Sequence, residues 1–229
     1  MMKSLLILFD IALTVALYSV SRALAKRYAS PFTTPVFFST TLVILVLRTL
    51  GLRFEDYEPA KNIMVWLLGP ATVSLAVPLY KNRHTLVRHA FPACVGLVVG
   101  SLSTLVAAAI LAKVFALSDN LRASISIKSV TAPIAIELAT IIHGNPTLTA
   151  VFVIATGMIG AMFGPWLMTM CGIRDPLARG LALGTIAHGQ GTAQAVCEGE
   201  LQGAAAGIAM GLAAVFTSCI APFLVPLLA

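Results

Sequence analysis

Charge is what this chain has least of: 10% of its 229 residues are Asp, Glu, Lys or Arg, while 59% are hydrophobic. Soluble domains carry about a quarter charged residues, so this composition, with a mean hydropathy of +0.94, excludes a soluble catalytic domain and requires a membrane protein. Acidic residues are scarcer than basic ones, giving a formal charge of +6. The basic residues fall in short clusters between apolar runs: Arg22, Lys26 and Arg27; Lys81, Arg83 and Arg88; Arg174 and Arg179. Such clusters mark cytoplasmic loops, whereas nucleic-acid binding needs a basic face on a polar domain, and that class is excluded. Cysteine is sparse too. Cys94, Cys171, Cys197 and Cys219 form no C-x-x-C and have no histidine at zinc-ligand spacing, so no metal site is expected and the four read as buried free thiols. No nucleophile–base pair, metal cluster or phosphate loop can be assembled, so neither an enzyme nor a cofactor is expected.

What is present is a succession of apolar stretches at about 4–24, 33–50, 62–80, 91–115, 121–142, 147–171, 177–196 and 204–228. A helix needs about 20 apolar residues to span the hydrocarbon, so seven to eight membrane segments use up the chain. The expectation is a single transmembrane domain, residues 1–229, with an all-α, polytopic membrane helix bundle. Pro31, Gly51, Pro59, Asn82, Asn120, Gly144-Asn-Pro146 and Asp175-Pro176 punctuate it as turns. The first stretch contains Asp10 and exceeds a signal-peptide core in length, so it is expected to stay as a helix. Small residues recur at Gly157-x-x-Gly160-x-x-x-Gly164 and Gly203-x-x-x-Gly207-x-x-x-Gly211, as close helix packing requires, although glycine and alanine are common in membrane helices anyway.

Two stretches are interrupted by small and polar residues, at 126–133 and 184–194. Non-helical backbone at bilayer depth leaves unpaired N–H and C=O groups, so it persists only inside protein or beside a water-filled cavity. Topology points the same way. With eight full crossings the Arg174–Arg179 loop would lie opposite the other two basic loops; a re-entrant segment around Lys128–Pro133 restores all three to one side, with seven crossings and the N-terminus outside.

In the first interruption, a lysine near mid-bilayer costs about 2.5–3.5 kcal/mol, so Lys128 needs neutralising or hydrating. Ser126, Ser129 and Thr131 offer hydroxyls, and Pro133 lacks an N–H, which leaves an upstream carbonyl free. An anion pocket is one reading; a snorkelling Lys128, or a Lys128–Glu137 pair across the break, is the other. In the second, Gly184, Gly189 and Gly191 let the backbone leave the helix, and His188, Gln190, Thr192 and Gln194 supply donors and acceptors. A helix restarting near Thr192 would turn its positive dipole end toward a carboxylate. His188 either titrates and couples transport to protons or holds the loop as a neutral hydrogen-bonding residue. Glu198 is a further coupling candidate, or a solvated charge beside Glu200.

A third interruption, Gly69–Pro78, brackets Thr72 and Ser74 between prolines, as a kink would. Its distance from the His188 loop is about half the chain, the offset of two structural repeats. Asp10, inside the first stretch, is either a site residue or a buried polar group bonded to a neighbouring helix.

These segments resemble the LrgB/CidB family of bacterial membrane proteins, whose plant relatives include the plastidic glycolate/glycerate transporter. The resemblance runs nearly the whole chain, through Leu68–Tyr80, Lys128–Ala135, Gly157–Gly164, and Ala187–Ala195 with Glu198. The family usually has a second Thr where Ala132 stands, so one hydroxyl is missing and substrate preference is expected to differ. The resemblance implies two activities. One is an antiholin-like modulator of murein hydrolase export and autolysis, a scaffold or channel component paired with a small LrgA/CidA-type partner; the other is a carrier of small monocarboxylates such as glycolate, glycerate or pyruvate. A Lys-bearing break opposite a Gly-opened one suits the carrier. The expectation is therefore alternating-access transport of a small carboxylate across the bacterial cytoplasmic membrane by a homo-oligomer. Lys128 supplies the charge, Ser129, Thr131, Pro133, His188, Gly189, Gln190, Gly191 and Thr192 complete the site, Thr72 and Ser74 contribute, and Asp10, Glu137, His188 and Glu198 are the coupling candidates.

Overall fold

A computed structural model describes residues 2–28 and 30–228, without the side chains of Met2, Lys3 and Thr72. Among the described residues the secondary structure is helical throughout, with no strand. The helices are α1 (Met2–Arg27), α2 (Pro35–Thr49), α3 (Phe54–Trp66), α4 (Leu68–Ser74), α5 (Ala76–Lys81), α6 (Arg83–Arg88), α7 (Ala90–Val114), α8 (Asp119–Ser126), α9 (Ala132–Ile141), α10 (Pro146–Met170), α11 (Pro176–Glu198) and α12 (Glu200–Leu228), with one 3₁₀ turn at Pro31–Thr33. Five runs among the described residues are long and apolar enough to cross a bilayer: Ser4–Arg27, Phe54–Lys81, Ala90–Val114, Pro146–Met170 and Glu200–Leu228. α2 is apolar but only 15 residues long.

Two compact units divide the chain, Met1–Ala76 and Val77–Ala229. In the first, α1 packs on α2 and α3, and the Thr14 hydroxyl meets the Tyr57 phenol at 3.0 Å. α3 starts eight residues before the expected 62–80 stretch, because Asp56 accepts the Arg53 N–H at 2.9 Å and caps a charged first turn. The expected interruption at Gly69–Pro78 takes the form of turns at Leu67 and Leu75 that separate α3, α4 and α5.

In the second unit both expected interruptions are places where the chain doubles back. α8 and α9 form hairpin 1, joined by the non-helical residues 127–131. Its two ends touch: Asn120 Nδ2 donates to the His143 carbonyl at 3.1 Å, and the Asn145 N–H to Ser124 Oγ at 2.7 Å. Hairpin 2 is α11 itself. Arg179 and Glu198, 19 residues apart, would be roughly 28 Å apart along one straight helix, yet their side chains are in contact at 2.7 Å. The reversal sits at His188, whose φ of 40° and ψ of −126° are non-helical. Arms 176–187 and 189–198 therefore lie side by side, close enough that a Cβ on Gly191 would fall 2.2 Å from the Leu183 carbonyl.

The expectation of seven crossings counts 177–196 as one of them; in the structure that stretch turns back on itself. The glycines have a different task from the one expected. Gly184, whose added Cβ would fall 2.2 Å from the Ala206 carbonyl, and Gly191 permit backbone-to-backbone packing, while His188 makes the break. The second arm restarts at Gly189, ahead of the expected Thr192. Gly157, Gly160 and Gly164 of α10 face His188, Ala187 and Leu183, and Gly203 faces Val196, but Gly211 has open space beside it. The four cysteines are exposed rather than buried: their apolar surroundings are outward-facing helix surface, not core.

The repeat register also differs from the expected one. α7 and α10 are each 25 residues long, beginning at Ala90 and Pro146, 56 apart, and each leads into a hairpin spanning Asp119–Ile141 or Pro176–Glu198, whose ends are 57 apart. The repeating unit is a long helix followed by a hairpin. α10 shows that the two hairpins enter from opposite ends. The base of hairpin 1 touches its start, where Thr149 Oγ1 lies 3.4 Å from the Ser124 carbonyl, and the base of hairpin 2 touches its far end, where Arg179 Nη2 lies 3.2 Å from the Pro165 carbonyl. The basic clusters Lys81–Arg88 and Arg174–Arg179 share one end of this unit: Lys81 pairs with Glu200 at 3.2 Å, and His89 and Asp175 line one recess.

Candidate functional site

The hairpin tips converge midway along α10. His188 Nε2 lies 3.1 Å from the Val153 carbonyl and must donate to it, which fixes the proton on that nitrogen. The Val153 side chain packs in the same core as Ile127 and Val130 of the first tip, with Leu105 of α7 and Ala214 of α12. Val153 thus shares a core with one tip through its side chain and holds the other through its carbonyl. A second junction is polar: Ser126, Ser129, Thr185, Ser101, Thr104 and Thr217 line one crevice between both hairpins, α7 and α12.

His188 is the strained point. Its positive φ belongs to a region L side chains rarely adopt, at a cost of order 1–3 kcal/mol. Two bonds fix it, Nε2 to Val153 and the Thr192 hydroxyl to its own carbonyl at 2.8 Å. Both bonds are of the kind expected of a residue that holds the loop. Thr192, buried, also approaches the Ala206 carbonyl at 3.4 Å, so its proton serves the tip. Gln190 presents a buried Oε1 without a partner beside Gly157, and Gln194 Oε1 is likewise unpartnered. Gly189 is exposed and Gly191 is buried against the first arm.

At the first tip, Lys128 is half-buried, and its ammonium is 3.4 Å from Ser129 Oγ. None of the ion pairs among the described residues includes it. The Lys128–Glu137 pair is absent, and Glu137 is exposed. Pro133 does not free a carbonyl inside a helix as expected. It lies in the first turn of α9, where no N–H is needed, and its side chain is exposed. Thr131 occupies the N-cap of α9 without a side-chain capping bond.

Sequence reasoning missed the closure of hairpin 2. Arg179 Nε and Nη2 bind both Glu198 carboxylate oxygens at 2.7 and 2.9 Å, and Nη1 reaches Thr169 Oγ1 and the Ile173 carbonyl. Glu198 is therefore a clamp residue rather than a charge solvated beside Glu200. Nothing local signalled this, because the partners meet only once the helix reverses. In the first unit, Ser74 donates to the Ala71 carbonyl at 2.6 Å, and the Thr72 side chain lies outside the described residues. Asp10 is fully buried and neither carboxylate oxygen has a hydrogen-bond partner, although a bond to a neighbouring helix was one of its expected readings. No cluster of three metal-ligating side chains occurs among the described residues.

The chain is 36% identical over 225 residues to "Uncharacterized protein YxaC" of Bacillus subtilis, covering 98% of each. It is 35% identical over 212 residues to "Uncharacterized protein YwbG" of the same organism, covering 93% of this chain and 94% of the relative. It is 31% identical over 215 residues to "Holin-like protein CidB" of Staphylococcus epidermidis, covering 94% of each. No solved structure matches it. The model of the LrgB-like family matches residues 14–227, and with helices of this length and apolarity the chain is a multi-pass membrane protein that belongs to the LrgB-like family.

Proposed function

We propose that the chain carries small monocarboxylates of the glycolate, glycerate or pyruvate type by alternating access, binding one anion between the hairpin tips. One observation supports this above all: a lysine without a carboxylate partner stands at the tip of one re-entrant hairpin while the tip of a second, entering from the opposite end, reaches the same level of α10. α9 and the second arm of α11 both begin at these tips, so their free N–H groups and positive dipole ends add to the Lys128 charge. Ser129, Thr131 and Gln190 would bond the carboxylate, and His188 would keep the second tip in place. The protein would sit in a bacterial cytoplasmic membrane as a homo-oligomer.

The test is uptake of labelled glycolate or pyruvate by vesicles reconstituted with the purified protein. Lys128→Ala should abolish uptake while the protein elutes and melts like the wild type; unchanged uptake would remove Lys128 from the site.

A second reading has the names of relatives behind it: a holin-like modulator of murein hydrolase export and autolysis, working with a small LrgA/CidA-type partner. Absence of carboxylate flux in the wild type, alongside an effect on lysis, would favour it.

A further inference from the structure

We infer that the polar crevice between the hairpin tips is a site for a small monovalent cation of the sodium class. Six hydroxyl side chains from four elements converge there: Ser101 and Thr104 of α7, Ser126 and Ser129 of hairpin 1, Thr185 of the first arm of α11, and Thr217 of α12. Several buried hydroxyls outside the crevice are turned back onto their own helix. Ser21, Ser39, Ser124 and Thr192 each donate to the carbonyl four residues earlier, which is how a membrane helix satisfies a serine or threonine. Ser101 Oγ and Thr185 Oγ1 do not. Both residues are 4% exposed, and neither oxygen has a hydrogen-bond partner. Two unsatisfied oxygens facing one crevice, in a region where each such group is costly, call for a ligand.

The shape and polarity of the crevice select the ligand. The crevice is narrow, too tight for an organic ligand. Its lining offers hydroxyl oxygens, the hard ligands that suit such a cation. Helix polarity agrees. α8 ends at Ser126 and the first arm of α11 ends at Ala187, just past Thr185, so both bring the negative ends of their dipoles toward the crevice. The two helices that begin at the tips present the opposite sign. Each hairpin therefore offers a cation-favouring end and an anion-favouring end, and the hydroxyls lie on the former.

Lys128 determines how the two ligands interact. Its ammonium is one hydroxyl, Ser129, away from the crevice, so it repels a cation when unneutralised. A carboxylate on Lys128 would remove that repulsion, so cation and anion should each tighten the other's binding, a coupling that rests on the transport reading. The cation site itself stands on its own geometry.

The experiment follows thermal unfolding of the purified chain in detergent, titrated with NaCl against choline chloride at constant ionic strength, with KCl as a second control and no carboxylate present. Sodium alone should raise the midpoint saturably. Ser101→Ala and Thr185→Val should each weaken half-saturation by about tenfold or more, and Thr185→Ser, which keeps the oxygen, should restore it. Equilibrium binding of radioactive sodium to the wild type, expected at one ion per chain, needs no variant. No bound sodium, equal responses to sodium and choline, as a trapped water would give, or a sodium response that survives both substitutions each overturns the site. Added glycolate should lower half-saturating sodium by about tenfold, and no change would overturn the coupling. Loss of carboxylate flux with the sodium shift intact would instead count against the carrier reading alone.

Discussion

The two hairpins reverse the chain over the same length of sequence by opposite means. Hairpin 1 spends five non-helical residues on its turn and closes its base with neutral bonds from Asn120 and the Asn145 N–H. Hairpin 2 turns at a single residue, His188, held in unfavourable backbone geometry, and closes its base with a half-buried bidentate ion pair. A relaxed turn needs little restraint; a strained one persists only where its surroundings over-determine it. Glycines at the arm contacts, the Arg179–Glu198 clamp and the His188–Val153 bond supply that restraint.

The strongest way to break the second hairpin is to separate its arms from α12. Gly184→Leu puts side-chain atoms where the Ala206 carbonyl already lies, so the loss should exceed the about 1–3 kcal/mol of ordinary overpacking and leave no monodisperse protein in detergent. Next comes the clamp. Arg179→Ala strands a half-buried carboxylate at a cost of about 1.5–3 kcal/mol, read as denaturant stability in micelles. The double change with Glu198→Gln should recover part of that loss, while Ser124→Ala at the base of hairpin 1 should cost only about 1 kcal/mol. Equal losses at the two bases would erase the contrast drawn here. His188 gives the smallest effect and the sharpest one. His188→Ala keeps the positive φ and loses the bond to Val153, whereas His188→Gly loses the bond and relaxes the backbone, so the glycine variant should be the more stable by about 1 kcal/mol. The reverse order would mean that the turn carries no strain.

Much of this arrangement could be read from the chain. Lys128 among hydroxyl residues marked the first break, Asn145-Pro146 and Asp175-Pro176 marked turns, at which Asn145 and Asp175 cap α10 and α11, and Gly157, Gly160 and Gly164 marked a packed face. Other parts had no local signal. A histidine at positive φ goes against its own backbone preference, so the glycines around it drew the break to themselves. Arg179 and Glu198 meet only because the chain reverses, and apolar cysteines in a membrane protein face outward as readily as inward. The hydroxyl crevice draws on four separate elements, which no sequence window brings together.

Linker length then decides what can move. Four residues, 115–118 and 142–145, connect hairpin 1 to α7 and α10, whereas Gly199 alone separates α11 from α12. On the carrier reading, so short a leash would keep the second hairpin with the last helix, and the first, with four-residue links at both ends, would be the part that moves. A disulfide engineered between positions 196 and 203, already in contact, should leave transport running, and one between positions 124 and 145 should arrest it. If the first pair arrests transport and the second does not, the moving part is hairpin 2.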